Sequence, residues 1–335
     1  MNYSSAQTKP IILEDSEFYT AMEKTVTPFL ESIRHCGYVD VDASGADADT
    51  GKLYYEAYRP KDAAAAVVIS HGFCESIEKY KEVIYYFVNA GYEVYLADHR
   101  GHGRSLRDTG HPHMVHVKRF ADYAENLHAF ISKVVKPSCN GLPLYLYAHS
   151  MGGCIGALYL ETWPDTFQKA VLTSPMLGII MAVPDSCALA LGHIMTSLHR
   201  DERYAFGQSA YSPNEKFEDS CSTSLPRFQY YQQKRAANPL FQTSGASYGW
   251  SYQALIACRL ATKKENCEKI TAPVLVFQSL CDNLVKASSI KRFVEYTPSA
   301  ELVQITGSRH EIYNSPSHVL AGYYERLFAF WGSNP

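Results

Sequence analysis

A serine hydroxyl becomes a nucleophile when an imidazole within hydrogen-bond reach takes its proton and a carboxylate holds that imidazole in the right tautomer. The residues typed and placed for such work are Ser150, in Ala148-His149-Ser150-Met151-Gly152, Asp282, in Leu280-Cys281-Asp282-Asn283, and His310, in Ser308-Arg309-His310-Glu311. Together they would perform acyl transfer: attack on a carbonyl, a covalent acyl-enzyme, then release by water. The tetrahedral intermediate also needs two backbone donors, one from the residue after the nucleophile and one from the loop after an early strand. Met151 and Phe73 supply those amides. His71 and Gly72 end the early strand, Gly72 lets the backbone turn so that the amide of Phe73 points inward, and Glu75 and His149 brace the site. The plainer alternative for Ser150 is a helix N-cap that happens to follow a strand.

Such residues must be held by rigid elements. The apolar run 144–148 has the length and aromatic content of a buried strand, and 151–161 repeats its apolar residues at helical spacing, which places Ser150 at a strand-to-helix corner. A corner of this kind brings backbones together and needs small residues, and Ala148, Gly152, Gly153 and Gly156 are small. The usual pattern has glycine two residues before the serine; here that position is Ala148. Strands are expected at 51–59, 64–70, 93–97, 169–173, 273–279 and 301–305, with helices at 80–89, 120–135, 287–296 and 316–331. This alternation predicts an α/β fold, a mostly parallel sheet with helices on both faces and its ligand at the carboxyl ends of the strands. Asp282 and His310 follow the last two strands directly, while the strand after the serine helix ends in Thr173-Ser174-Pro175 with no carboxylate, so Asp282 is the favoured acid.

Two stretches break the rhythm. Residues 14–34 place Phe18, Met22, Val26, Phe29, Leu30 and Ile33 at helical spacing with a break or kink at Pro28, an N-terminal helical extension spanning 10–35, followed by a hairpin or loop at 42–50. From 176 to 262 the strands stop: helix-like 179–198 and 248–260 flank a polar, aromatic segment with Pro213, Pro226 and Pro239. This predicts a mainly helical cap at 176–262 inserted into a core made of 1–175 and 263–335.

Composition excludes several classes. A net charge of −3 without basic stripes gives no reason to expect nucleic acid. Nine cysteines with no Cys-x-x-Cys pair fit neither a disulfide framework nor a zinc site, so a reducing, cytoplasmic setting is expected, with Cys74 and Cys281 as small hydrophobes beside the site. Residues 1–10 lack the apolar core of a signal peptide, and no window reaches the roughly 18 apolar residues of a membrane span. His111, His113 and His116 lack matching ligand spacing, and the glycine-rich 98–105 lacks the lysine of a phosphate loop, so it is read as a brace; no cofactor and no metal are expected.

The chain resembles the serine α/β-hydrolases of the monoacylglycerol lipase and lysophospholipase L2 group. The resemblance rests on His71-Gly72-Phe73-Cys74-Glu75, on Asp98-His99-Arg100-Gly101-His102-Gly103-Arg104-Ser105, on His149-Ser150-Met151-Gly152-Gly153, and on Asp282 and His310. Residues 113–123 and 227–250 look more like lysophospholipase L2. The resemblance implies an α/β-hydrolase fold, Ser150 as nucleophile, His310 as base, Asp282 as acid, Phe73 and Met151 as oxyanion hole, and a single-chain lipid ester as substrate. The cap residues Met176, Leu177, Ile179, Ile180, Met181, Val183, Leu189, Leu191, Ile194 and Met195 offer either a lipid-facing surface with peripheral membrane contact or packing against the body. The alternatives are a carboxylesterase for small acyl esters, a peptidase similar to prolyl iminopeptidases, and a non-catalytic binding protein.

Overall fold

The computed structural model describes residues 10–42 and 51–332. Eight strands form one sheet: β1 Arg34–Val41, β2 Gly51–Tyr58, β3 Ala65–Ser70, β4 Tyr92–Ala97, β5 Leu144–His149, β6 Lys169–Thr173, β7 Val274–Ser279 and β8 Ala300–Ile305. Their order is β1-β2-β4-β3-β5-β6-β7-β8. β1 pairs antiparallel with β2 and β2 antiparallel with β4, while every pairing from β4 to β8 is parallel. Every residue of β3, β4, β6 and β7 is buried, which is why they read as unbroken apolar runs; β8, at the edge, has no fully buried residue.

Helices cover both faces. Ala121–Phe130 and Met151–Thr162 pack Leu127, Phe130, Ile155 and Leu160 into one apolar layer, and Lys81–Asn89 and Ser317–Gly332 pack Phe87, Tyr324, Leu327 and Trp331 into the other. The loops that leave the carboxyl ends of β3, β5, β7 and β8 therefore share one rim, and these four loops carry Phe73, Ser150, Asp282 and His310.

The N-terminal region departs from expectation. The helix runs without a break through Phe18–Ala21, Met22–Val26 and Thr27–Ile33, with Phe18, Met22, Val26 and Leu30 buried. Pro28 does not interrupt it, because the preceding turn, Met22–Val26, widens to the π form and absorbs the missing amide. The same device precedes Pro137, where Ile131–Val135 is the widened turn. β1 was not anticipated: only Val39 and Val41 of its eight residues are buried, too short an alternation to stand out. The hairpin or loop expected at 42–50 lies, beyond Asp42, outside the described residues.

Between β6 and β7 the described chain holds three longer helices, Asp185–Ser197, Leu225–Ala237 and Tyr248–Leu260, and no strand. The helix expected over 179–198 begins only after Pro184. Before it, 178–180 lies extended along the loop after β7: Ile180 N–H donates to Leu284 O at 2.8 Å and Lys286 N–H to Gly178 O at 2.7 Å. Leu225–Ala237 was missed because its buried face is Arg227, Tyr230, Tyr231 and Arg235, helical spacing built from amphipathic side chains rather than aliphatics.

Candidate active site

Ser150 sits at the end of β5 with φ +52° and ψ −117°, a conformation that L-residues avoid unless the surroundings impose it. Its N–H donates to Thr173 O at 3.1 Å, and its carbonyl accepts from Cys154 N–H at 3.1 Å and Met176 N–H at 2.8 Å. The flanking small residues have specific neighbours. A Cβ on Gly152 would fall 2.1 Å from Ser70 O, and one on Gly153 would fall 2.6 Å from Pro175 Cβ. Ala148, where glycine is usual, is accommodated from the helix side: a Cβ on Gly156 would lie 3.2 Å from the Ala148 methyl, so the absent side chain of Gly156 is the space that methyl uses.

The three side chains far apart in sequence meet here. Ser150 Oγ donates to His310 Nε2 at 2.7 Å, and His310 Nδ1–H donates to Asp282 Oδ2 at 2.7 Å. The other carboxylate oxygen of Asp282 accepts the N–H of Leu284 at 2.9 Å and of Val285 at 3.1 Å. Burial alone would raise the Asp282 carboxyl, but the His310 hydrogen bond and charge and these two amides outweigh it and hold the carboxyl below its ordinary value. An ionised Asp282 fixes the His310 tautomer and leaves Nε2 free to accept the serine proton.

The loop after β3 is locked from below. Gly72 N–H donates to Glu75 Oε2 at 2.6 Å, which also accepts Tyr80 OH at 2.6 Å, and Glu75 Oε1 accepts Tyr313 OH. Cys74 has φ +59°, and its N–H donates to His102 Nε2 at 3.1 Å while His102 Nδ1–H donates to Arg100 O at 3.0 Å. His71 donates from Nδ1 to Gly72 O at 2.8 Å and accepts His99 N–H at Nε2 at 2.8 Å. Asp98 takes the amides of Ile77 at 2.8 Å and Arg104 at 2.9 Å. These contacts give the glycine-rich 98–105 its role as a brace and fix the peptides on either side of Phe73. Met151 is the first residue of its helix, so its N–H has no acceptor within that helix. The Phe73 ring lies 4.1 Å, centroid to centroid, from that of Trp250 in the helix Tyr248–Leu260, between β6 and β7.

The charges beneath the site were only partly legible. Lys79 Nζ is 3.1 Å from Glu75 Oε1 and pairs with Glu311, joining the loops after β3 and β8, four strands apart in the sheet. Burial would raise the Glu75 carboxyl, but the Lys79 charge, His149 and two tyrosine hydroxyls hold it well below the carboxylate range. His149 donates from Nδ1 to Thr173 O at 3.1 Å and packs 5.0 Å from the His310 ring; burial, opposed by Glu75, pushes its imidazole down to about 4. Glu75 is thus ionised and His149 neutral beneath the site. Lys79, Tyr313 and Glu311 were missed; the only sequence signal was an opposite charge, Lys79, four residues after Glu75.

Other candidates are scattered. His116 Nδ1 is 2.9 Å from Ser247 Oγ, His113 packs on Tyr211, and His111 is exposed. Among the described residues no group of three or more His, Cys, Asp or Glu side chains is arranged to hold a metal ion. Cys74 is partly buried, and burial pushes its thiol up to about 12; Cys281 is exposed, not packed away.

Sheet order, elbow and the sequence of loops around the rim define an α/β-hydrolase. Residues 61–317 match the family model described as "Serine aminopeptidase, S33", and the chain belongs to that family. It is 29% identical over 279 residues to lysophospholipase L2 of Escherichia coli, covering 81% of each chain. It is 25% identical over 272 residues to monoacylglycerol lipase of Mycolicibacterium smegmatis, covering 80% of this chain and 89% of that one. The crystal structure of a soluble variant of monoglyceride lipase from Saccharomyces cerevisiae with a substrate analogue superposes with a TM-score of 0.68 at 15% identity, over 90% of this chain and 96% of the other, and so shares the fold.

Proposed function

We propose that this protein hydrolyses carboxylic esters of single-chain lipids, a lysophospholipid or a monoacylglycerol, through an acyl-enzyme on Ser150. His310 Nε2 takes the Ser150 proton as Oγ attacks the ester carbonyl, and the imidazolium that forms is stabilised by Asp282. The amides of Phe73 and Met151 receive the oxyanion. His310 then protonates the departing glycerol oxygen, and in the second half it activates the water that releases the fatty acid. The observation that carries this is the continuous hydrogen-bond relay Ser150–His310–Asp282 at 2.7 Å per step on a strained elbow. Relatives named lysophospholipase and monoacylglycerol lipase support the substrate class.

The inserted residues 176–262 are proposed as the cap. Of the apolar residues that sequence put there, Met176 and Leu177 are buried in the core, whereas Ile180, Val183, Leu191 and Ile194 are 43–52% exposed, and Leu198 beside them is 57% exposed. Leu280 and Leu284, on the loop that bears Asp282, are also exposed, and Leu284 is paired with Ile180. An apolar face beside the acid loop suits acyl chains or a lipid surface, and we assign it peripheral contact with a membrane from the cytoplasmic side. Among the described residues no helix is long and apolar enough to cross a membrane.

Hydrolysis of a graded series of esters tests this. Turnover should rise from acetyl and butyryl esters to long-chain lysophosphatidylcholine or monoacylglycerol; a maximum at the shortest acyl groups would identify a small-ester carboxylesterase, and selective cleavage of prolyl arylamides an aminopeptidase.

A further inference from the structure

The loop that carries His310 has an unusual position. It leaves β8, the edge strand, so one flank faces β7 and the other has no strand beside it. On the β7 flank, Ser279 Oγ donates to Ser308 O at 2.7 Å. On the open flank, the wall is built by residues 217–224 of the insertion, reached through the chain only after more than forty residues from β6.

Arg309, next to His310, grips that wall. Its Nη1 donates to the carbonyls of Phe217 at 2.9 Å, Ser220 at 3.0 Å and Ser222 at 3.4 Å, and its guanidinium lies over the Phe217 ring. On the other side of His310, Glu311 N–H donates to Cys221 O at 3.1 Å. Further along, Ser222 Oγ donates to Asn314 O at 2.7 Å, and Thr223 Oγ1 to Gly307 O at 3.2 Å. The base is therefore bracketed by hydrogen bonds to one short stretch of the insertion.

That stretch is in turn anchored to the body. Arg227, fully buried, pairs with Glu82 of helix Lys81–Asn89 at 2.7 Å and with Asp15 at 2.6 Å. Asp15 also accepts Ser224 Oγ at 2.6 Å and the N–H of Ser317, first residue of the C-terminal helix, at 2.8 Å. Three chain-distant elements meet on one carboxylate, while the helix Asp185–Ser197 buries only Gly192.

We propose that residues 217–224 are the outer wall of the active site and that Arg309 is a positioning residue, holding His310 in register with Ser150 by clamping its loop to that wall. The insertion is then two parts with separate duties: a fixed part, 217–237, that aligns the base, and the apolar face around Asp185–Ser197 that meets substrate. This rests on His310 serving as the base of the proposed esterase. The titratable groups facing His310 are Asp282 from the β7 loop, His149 and Ser150 from β5, and, through Glu311, Lys79, Glu75, Tyr313 and Cys221; Arg309 acts on the backbone and not on this set.

The test compares Arg309→Ala, Arg309→Lys and Ser222→Ala in the full chain, using ester hydrolysis and the rate at which a fluorophosphonate labels Ser150. In Arg309→Ala, kcat and the labelling rate should fall by about 10- to 100-fold, the scale of a base displaced by roughly an ångström, with KM within about twofold. Added methylguanidinium should restore part of the loss. Arg309→Lys should retain most activity, since one ammonium carries three donors for three carbonyls that converge on one nitrogen. Ser222→Ala, which breaks one stitch and leaves the clamp, should lose less than Arg309→Ala and serves as the reporter should that variant fail to fold. The proposal is overturned by a folded Arg309→Ala with wild-type kcat and labelling, by a loss that neither lysine nor methylguanidinium relieves, or by a Ser222→Ala indistinguishable from wild type. A wild-type protein inert to both ester and fluorophosphonate would instead overturn the esterase assignment beneath it.

Discussion

Between about pH 6.5 and about 5, three buried imidazoles and one buried carboxyl should together cost this protein on the order of 3 kcal/mol of stability. His99, His102 and His149 are buried at 4%, 0% and 1% exposure. Burial depresses all three imidazoles, His149 to about 4 and the others well below the usual range. In the fold they stay neutral, while the unfolded chain takes up protons near 6.5. Stability is thus present above that value and lost below it, by roughly 1–2 kcal/mol per imidazole over this interval, or on the order of 5 for the three. Glu161 acts in the opposite sense. Burial raises its carboxyl to about 8, so the fold holds a proton that the unfolded chain binds only near 4.5; this returns about 2 kcal/mol as the pH falls. Urea unfolding followed by circular dichroism at several pH values measures the sum, and Glu161→Gln should steepen the loss to about 5 kcal/mol by removing the opposing contribution. A stability that stays flat or rises between these pH values would refute the picture of imidazoles buried neutral.

Gly152→Ala places a methyl 2.1 Å from a main-chain carbonyl that cannot rotate away, and should cost about 3 kcal/mol and nearly all turnover, whereas Gly322→Ala, with open space around it, should leave turnover unchanged and raise the thermal midpoint slightly; thermal scans with ester assays read both. Lys79→Met leaves Glu75 and Glu311 without their shared cation and should destabilise by about 3–5 kcal/mol at neutral pH, with Glu311→Gln added to it recovering part; urea midpoints decide. Ile194→Glu with Leu198→Glu, on the exposed apolar face, should weaken partition onto anionic or zwitterionic vesicles by roughly tenfold or more while leaving hydrolysis of a short soluble ester unchanged, as sedimentation and a chromogenic assay would show.

Much of the fold was legible because the central strands are buried on both faces and so appear as uninterrupted apolar runs, and because Gly and Pro mark their ends. What escaped did so for identifiable reasons. β1 buries two residues of eight, and Leu225–Ala237 hides its helical period in tyrosines and arginines. Pro28 looked like a break because a proline in a helix interior usually is one; a widened turn just before it is a tertiary adjustment that no local pattern announces. At the site, Ser150, Asp282 and His310 could be found because each follows a strand end, and the loop geometry of an α/β sheet sends strand ends to one rim. Arg309 and the pairing of Lys79 with Glu311 could not, since the partners are main-chain carbonyls of residues 217–222 and a carboxylate 232 residues away, contacts that exist only after folding.

The most direct measurement is the location of the covalent adduct formed by a long-chain fluorophosphonate, read by mass spectrometry of the intact protein and of its peptides. One phosphonyl group per chain on Ser150, absent in Ser150→Ala and slowed by orders of magnitude in His310→Ala, is the predicted result. Labelling at another residue, or undiminished labelling and ester turnover after Ser150→Ala, would contradict it.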